Sequence, residues 1–201
     1  MNILHSKKSG AGLTAAVRLS APLMALLLFA AVSQGHEDHR GNRRGNRPPP
    51  VPTDLAVPAG NELTSRVAGV GVQIYVWTVN PTNAALARWV FKAPHALLFA
   101  SCEEERSEVV GIHFAGPTWQ SNDGSKVVGT RVASVTVNSN AIPWLLLQTS
   151  STSGNGTFTD TTYIQRLNTV GGLAPATPGT VAGEEALVSY IADYYFYRAK
   201  Q

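Results

Sequence analysis

The sequence predicts an all-β fold, mainly antiparallel: a sandwich or barrel-like domain with long loops and little helix. Three observations lead there. Apolar side chains alternate with period two in several short stretches, the signature of strands rather than helices. Those stretches are separated by Gly, Pro, Asn and Asp clusters that break regular structure. The last third of the chain is rich in Thr, Tyr and Phe, which favour the pleated backbone.

Taken in order, Gly71–Val79 alternates Val72, Ile74 and Val76 with Gln73, Tyr75 and Trp77. Both sets are bulky, so burial on both faces is expected. In Leu86–Lys92, Trp89 and Phe91 share one face, and Pro94 is expected to end the strand because it cannot donate to a ladder. Val109–Phe114 sets Val110, Ile112 and Phe114 against Val109, Gly111 and His113. The Asp123-Gly124 pair predicts a type I′ hairpin turn joining 117–121 to 126–137. Ala141–Thr149 is a continuous apolar run suited to a strand buried on both faces, and Thr157–Asn168 is Thr-rich and β-prone. Gly171–Gly183 reads as a long loop. The closing Tyr194-Tyr195-Phe196-Tyr197 favours a last strand that completes the sheet, after a helical turn near Gly183–Leu187.

The N-terminus is organised differently. Lys7, Lys8 and Arg18 precede a 14-residue apolar run, Leu19–Val32, followed by small residues at Ser33 and Gly35. A basic start, a short apolar stretch and a small-residue cleavage site form a secretory signal, and the run is shorter than the roughly 20 residues that a membrane helix needs. Residues 1–33 are therefore expected to be a signal peptide, 34–53 a disordered Arg- and Pro-rich tail, and 54–201 one β-rich domain that is secreted or periplasmic, with no membrane span after signal removal. The charge follows this division. The chain carries 16 Lys and Arg against 13 Asp and Glu, a net of +3. Three of the basic residues fall in the signal and four more in the tail, so the part from Val51 onward is slightly acidic. Nucleic acid, which requires a clustered positive surface, is disfavoured as a partner. Cys102 is the only cysteine, and three consecutive glutamates follow it, which disfavours a thiolate and a catalytic role.

Longer motifs carry a family resemblance. They are GVQIY at 71–75, W-x-F-x-A-P from Trp89, G-x-H-x-A-G-P-T-W from Gly111, DGS at 123–125, AIPWLLL at 141–147, IQR at 164–166, GG-x-AP from Gly171, and Y-x-A-D-Y-Y-F-Y from Tyr190. Together these resemble the domain-of-unknown-function family 3455, found in secreted or exported proteins of bacteria and fungi, and the resemblance spans about residues 52–197. It implies no established activity. A dehydrogenase label used for some fungal members does not transfer, because neither Gly69-Val70-Gly71 nor Gly154-Asn155-Gly156 continues to the third glycine of a dinucleotide-binding turn. The chain also departs from its relatives. His95 and Gln120 stand where they often have Glu, and the regions of Trp77 and Thr177–Thr180 lack the cysteines many of them carry.

The polar residues singled out as candidate binding residues are His113, Trp119, Gln165, Arg166 and Asp193. His113 lies beside Gly111, which leaves room for a ligand or for another backbone. Trp119 is either an aromatic platform at a strand edge or a core residue. Gln165 and Arg166 project to opposite faces of one strand, and a buried Arg166 calls for a carboxylate from Asp193 or Asp160. Asp123 is expected to serve the turn. No catalytic set, metal site or cofactor motif is recognised. The function expected is a module that binds a ligand or a cell-envelope polymer without catalysis. The alternative is a hydrolase, with glycans as one candidate substrate class, using His113 and a nearby carboxylate as acid and base.

Overall fold

The computed structural model describes residues 48–100 and 108–201. The expected signal peptide, the tail up to Arg47, and Cys102 with its glutamates lie outside the described residues. The strands are β1 (Asn61–Thr78), β2 (Arg88–Phe99), β3 (Val109–Phe114), β4 (Thr118–Ser121), β5 (Lys126–Val135), β6 (Trp144–Ser153), β7 (Thr161–Gly171) and β8 (Glu185–Ala199). Each pairs antiparallel with the next, and β8 returns to pair with β1 along Asn61–Val76, closing a barrel in chain order. Of the two architectures the sequence allowed, it is the barrel. Closure leaves no free sheet edge. Among the described residues, no helix is long and apolar enough to cross a membrane.

Alternation along the strands divides inside from outside, but not always as hydrophobicity suggests. On β1 the inward set is Gln73, Tyr75 and Trp77, all buried, whereas Val72, Ile74 and Val76 are only half-buried on the outer face. The expected two-sided burial of this strand is thus replaced by an interior of polar-tipped side chains. On β6 the expectation holds: Leu147 faces in and Leu146 faces out, and both are buried. The outer side of β6 is covered by the chain before β1, where Val51, Val57 and a short 3-10 turn at Thr53–Leu55 lie against the barrel wall. Ordered packing therefore begins inside the stretch read from sequence as tail. Leu55 is fully enclosed. Its carbonyl accepts from Nε2 of Gln165 at 2.6 Å, and Oε1 of that amide accepts from the Tyr197 hydroxyl at 2.6 Å.

Three local expectations are corrected. Pro94 does not end β2, which runs through it to Phe99. Proline is tolerated there because pairing with β3 begins only at Ala96, and the β1–β2 ladder is irregular next to it, at Ile74/Tyr75. The Asp123-Gly124 hairpin is not type I′. Gly124 has φ +88° but Asp123 is not in the left-handed region, and Gly124 N–H donates to Ser121 O while Ser121 N–H donates to Ser125 O. That is a type I turn followed by a left-handed glycine, the three-residue hairpin loop. β7 starts at Thr161, so Phe158 lies in the preceding turn. It enters the barrel end and packs on Phe196 at 4.4 Å between ring centroids. The Asp123 carboxylate ties the two loops at this end together, accepting from Ser125 N–H and Oγ and from Thr157 N–H and Oγ1.

The segment before β1 should act as part of the core. Leu55→Ala is expected to lower unfolding free energy by about 2–4 kcal/mol, the range for a fully buried leucine. Asp54→Ala, at the exposed neighbouring position, should change it by no more than about 0.5 kcal/mol. Urea denaturation of the two variants checks this, and similar values for both would mean that the segment contributes no core packing.

Candidate functional site

A cavity of about 500 Å³ occupies one half of the barrel. Its opening follows from strand length. β3 and β4 have only six and four residues, so their hairpin at Gly116–Pro117 stops short of β2 and β5. Pairing puts Ala96 opposite His113 and Val128 opposite Thr118, so Arg88–His95 of β2 and Gly129–Val135 of β5 overshoot it. The notch left between them is edged by Phe91, Lys92 and Pro94 on one side and Thr130 and Arg131 on the other, all of which line the cavity. At the far end the barrel is filled by Leu98, Val127, Phe158 and Phe196.

The walls combine aromatic and aliphatic surface with hydrogen-bond donors. His113 and Trp119 are cross-strand partners whose rings stack at 4.3 Å and 12°. Tyr194 tilts against both, with centroids at 5.1 and 5.3 Å. The space for its ring comes from Gly69, where an added Cβ would lie 2.6 Å from Tyr194 Cε2. Leu145 and Leu147 add aliphatic surface from β6.

Arg166 stands on β7, in the wall opposite the β3–β4 notch. It donates from Nε and Nη2 to the Pro143 carbonyl at 3.2 and 2.8 Å, and it touches the Tyr194 phenol. Burial lowers its pKa, and the phenols of Tyr194, Tyr190 and Tyr75 oppose that shift. Tyr190 and Tyr194 share a hydroxyl–hydroxyl contact of 3.1 Å, and burial raises both phenols. Gln73 is 2% exposed and its Nε2 has no well-formed hydrogen bond, although the amide lies near enough to Tyr190 to oppose the rise of that phenol. Trp119, at 1% exposure, likewise leaves its indole N–H without an acceptor.

The five residues marked from sequence separate into two groups. His113, Trp119 and Arg166 converge on the cavity. Gln165 and Asp193 do not, because they occupy the outer face of the same strands. Gln165 pins the segment before β1, as described above. Asp193 accepts from Asn168 Nδ2 at 2.7 Å and pairs with Arg66 at 3.1 Å. The carboxylate expected for Arg166 is therefore absent from its surroundings: Asp193 is paired outside and Asp160 is exposed. Trp119 is a core residue and not a platform at an edge. Sequence reading missed Gln73, Tyr194, Lys92 and Arg131. Only Gln73 carried a signal, as an amide in phase with Tyr75 and Trp77.

His113 has the environment of a neutral ring. Nδ1 lies 2.8 Å from the Thr118 carbonyl, so Nδ1 carries the proton and Nε2 is left as an acceptor. Burial takes its pKa from 6.5 down to about 3, against the opposing hydrogen bond to Thr118. Among the described residues, no Asp or Glu lines the cavity. Among the described residues, the acid–base pair that a His113-based hydrolase needs is not assembled here.

A family model described as "Protein of unknown function (DUF3455)" matches residues 58–198, and the chain belongs to that family. No curated protein and no solved structure matches the chain.

The buried imidazole sets a pH dependence. Between pH 3 and 6.5 the unfolded chain holds a proton on His113 that the folded chain lacks, so stability falls as pH drops through this window. From pH 6.5 to 5 the contribution is about 1.5–2 kcal/mol. His113→Phe, although less stable at pH 7, should show that much less acid sensitivity over the same interval by urea denaturation. Equal slopes in the two proteins would mean that the imidazole titrates normally.

Proposed function

We propose that this member of the DUF3455 family is an exported small-molecule-binding barrel that holds a compact organic ligand in its notch-opening cavity, without catalysing its conversion. The observation that carries this reading is a cavity of about 500 Å³ whose walls combine aromatic and aliphatic side chains with the Arg166 guanidinium. Binding cavities for small molecules fall in the range of about 300–1,000 Å³ and pair mostly apolar walls with a few placed polar groups. An eight-stranded barrel has an interior just large enough for side chains or for one small ligand. Here side chains fill one half.

The same observation favours a compact ligand over a cell-envelope polymer. The aromatic faces are enclosed around Trp119 and Tyr194 and are not laid out along an exposed strand. Export rests on the basic, apolar and small-residue sequence of residues 1–35.

A neutral fluorophore, N-phenyl-1-naphthylamine, tests cavity binding without help from charge. Saturable fluorescence enhancement with one site per chain is expected. Leu145→Trp, which fills the cavity from β6, should weaken binding by about tenfold or more, since a compact site has little spare volume. Leu187→Trp, on the outer face at 64% exposure, should not change it. No saturable binding, or equal loss in both variants, would overturn the reading.

A further inference from the structure

The geometry points to an organic monoanion with a flat apolar body as the ligand class, its charged group seated on the Arg166 guanidinium; this rests on the binding function proposed above. Arg166 is partly buried and has only neutral partners, the Pro143 carbonyl and the Tyr194 phenol. A guanidinium carries five N–H donors, and these two contacts engage about three of them. Enclosing a cation without a counter-charge is unfavourable, because the lost hydration is not repaid. An anion delivered by a ligand removes much of that cost, and among the described residues no carboxylate of the cavity wall competes for the position.

The remaining groups fit the same ligand. Trp119 and Gln73 line the same space, the first with an aromatic surface and the second with a neutral amide. Arg131 at the notch is exposed, so solvent and salt screen its charge. Lys92 is already neutralised there by Glu185, at 2.5 Å. One enclosed guanidinium matches one negative charge, so a monoanion such as a carboxylate is better matched than a doubly charged phosphate. Because Arg166 stands opposite the notch, the charged group enters first. The apolar body then lies between Trp119, Leu145, Leu147 and Phe91, toward the opening.

Calorimetric titration with 2-naphthoate and its shape-matched neutral partner 2-naphthamide, at pH 7, tests the charge preference. The wild-type chain should bind the acid at least about tenfold more tightly than the amide, as expected for a charge-assisted contact in a partly enclosed site. Arg166→Met should reduce that preference to about twofold or less while leaving amide affinity within about threefold, and Arg166→Lys should retain part of it. An acid preference below about twofold in the wild type overturns the inference whether or not the variants fold. A preference that survives in Arg166→Met overturns it too. In both cases retained binding of the amide and of N-phenyl-1-naphthylamine leaves the cavity reading standing. If none of the three compounds binds, both fall.

Discussion

Closure of β8 onto both β7 and β1 is the constraint from which the other features follow. Once the ring is shut, every strand position belongs either to an interior of limited cross-section or to the outer wall. There is no loose edge at which a misfitting side chain can be accommodated. The interior then has to be filled by what the inward phase of each strand supplies. At one end it supplies Leu98, Val127, Phe196 and the inserted Phe158, which close-pack. At the other it supplies Gln73, His113, Arg166 and Tyr194, and these leave space. The shortness of β3 and β4 turns that space into an accessible cavity, because a ladder that ends early on two adjacent strands opens a window in an otherwise continuous wall.

Polar groups on the two faces of the same strands are treated differently. Outside, Gln165 uses both ends of its amide, and Asp193 is shared between Asn168 and Arg66. These saturated groups fix the segment before β1 and the irregular stretch of β7, where Asn168 adopts φ +51°. Inside, Arg166 has no anion among the described residues, and the Trp119 indole N–H has no acceptor there. Folding alone does not favour such an interior, since a buried cation with neutral partners is less favourable than an apolar residue of similar volume. The residues that hold the barrel together and those that leave it incomplete are thus neighbours in sequence, one position apart on β7.

Much of the fold was legible in the sequence because strand alternation and turn residues act locally. The final strand follows from the β-propensity of its aromatic run, the two-sided burial of the AIPWLLL segment from its continuous apolar character, and the opposite facing of Gln165 and Arg166 from period-two alternation. What was not legible depends on partners distant in the chain. Pro94 lies inside β2 because β3 is too short to pair beside it, which no residue near Pro94 reveals. The inward face of β1 is the polar-tipped one, contrary to the usual rule that the aliphatic set is buried: Gln73 lines the cavity, the Tyr75 hydroxyl donates to the Gly172 carbonyl, and Trp77 packs on Gly179. Asp193 looked like a counter-charge for Arg166, but closure places them on opposite sides of the wall. The convergence of His113, Trp119 and Arg166 needs strands from opposite sides of the ring, and only the closed topology brings them together.

The charge distribution sharpens what the interior can accept. A domain with few charges encloses one cation, Arg166, on an inner wall and, among the described residues, no carboxylate there. His113 does not alter this, since burial and its Thr118 hydrogen bond keep the ring neutral at physiological pH. It therefore presents an acceptor beside donors, without adding positive charge. Tyr190 and Tyr194 likewise stay protonated, because burial raises both phenols. The interior thus holds its positive charge over the pH range in which a ligand carboxylate is ionised, and its polarity is set by one guanidinium rather than by a balance of titrating groups. A barrel of this kind discriminates by sign of charge at its back wall and by shape at its notch, and these two determinants are carried by different strands.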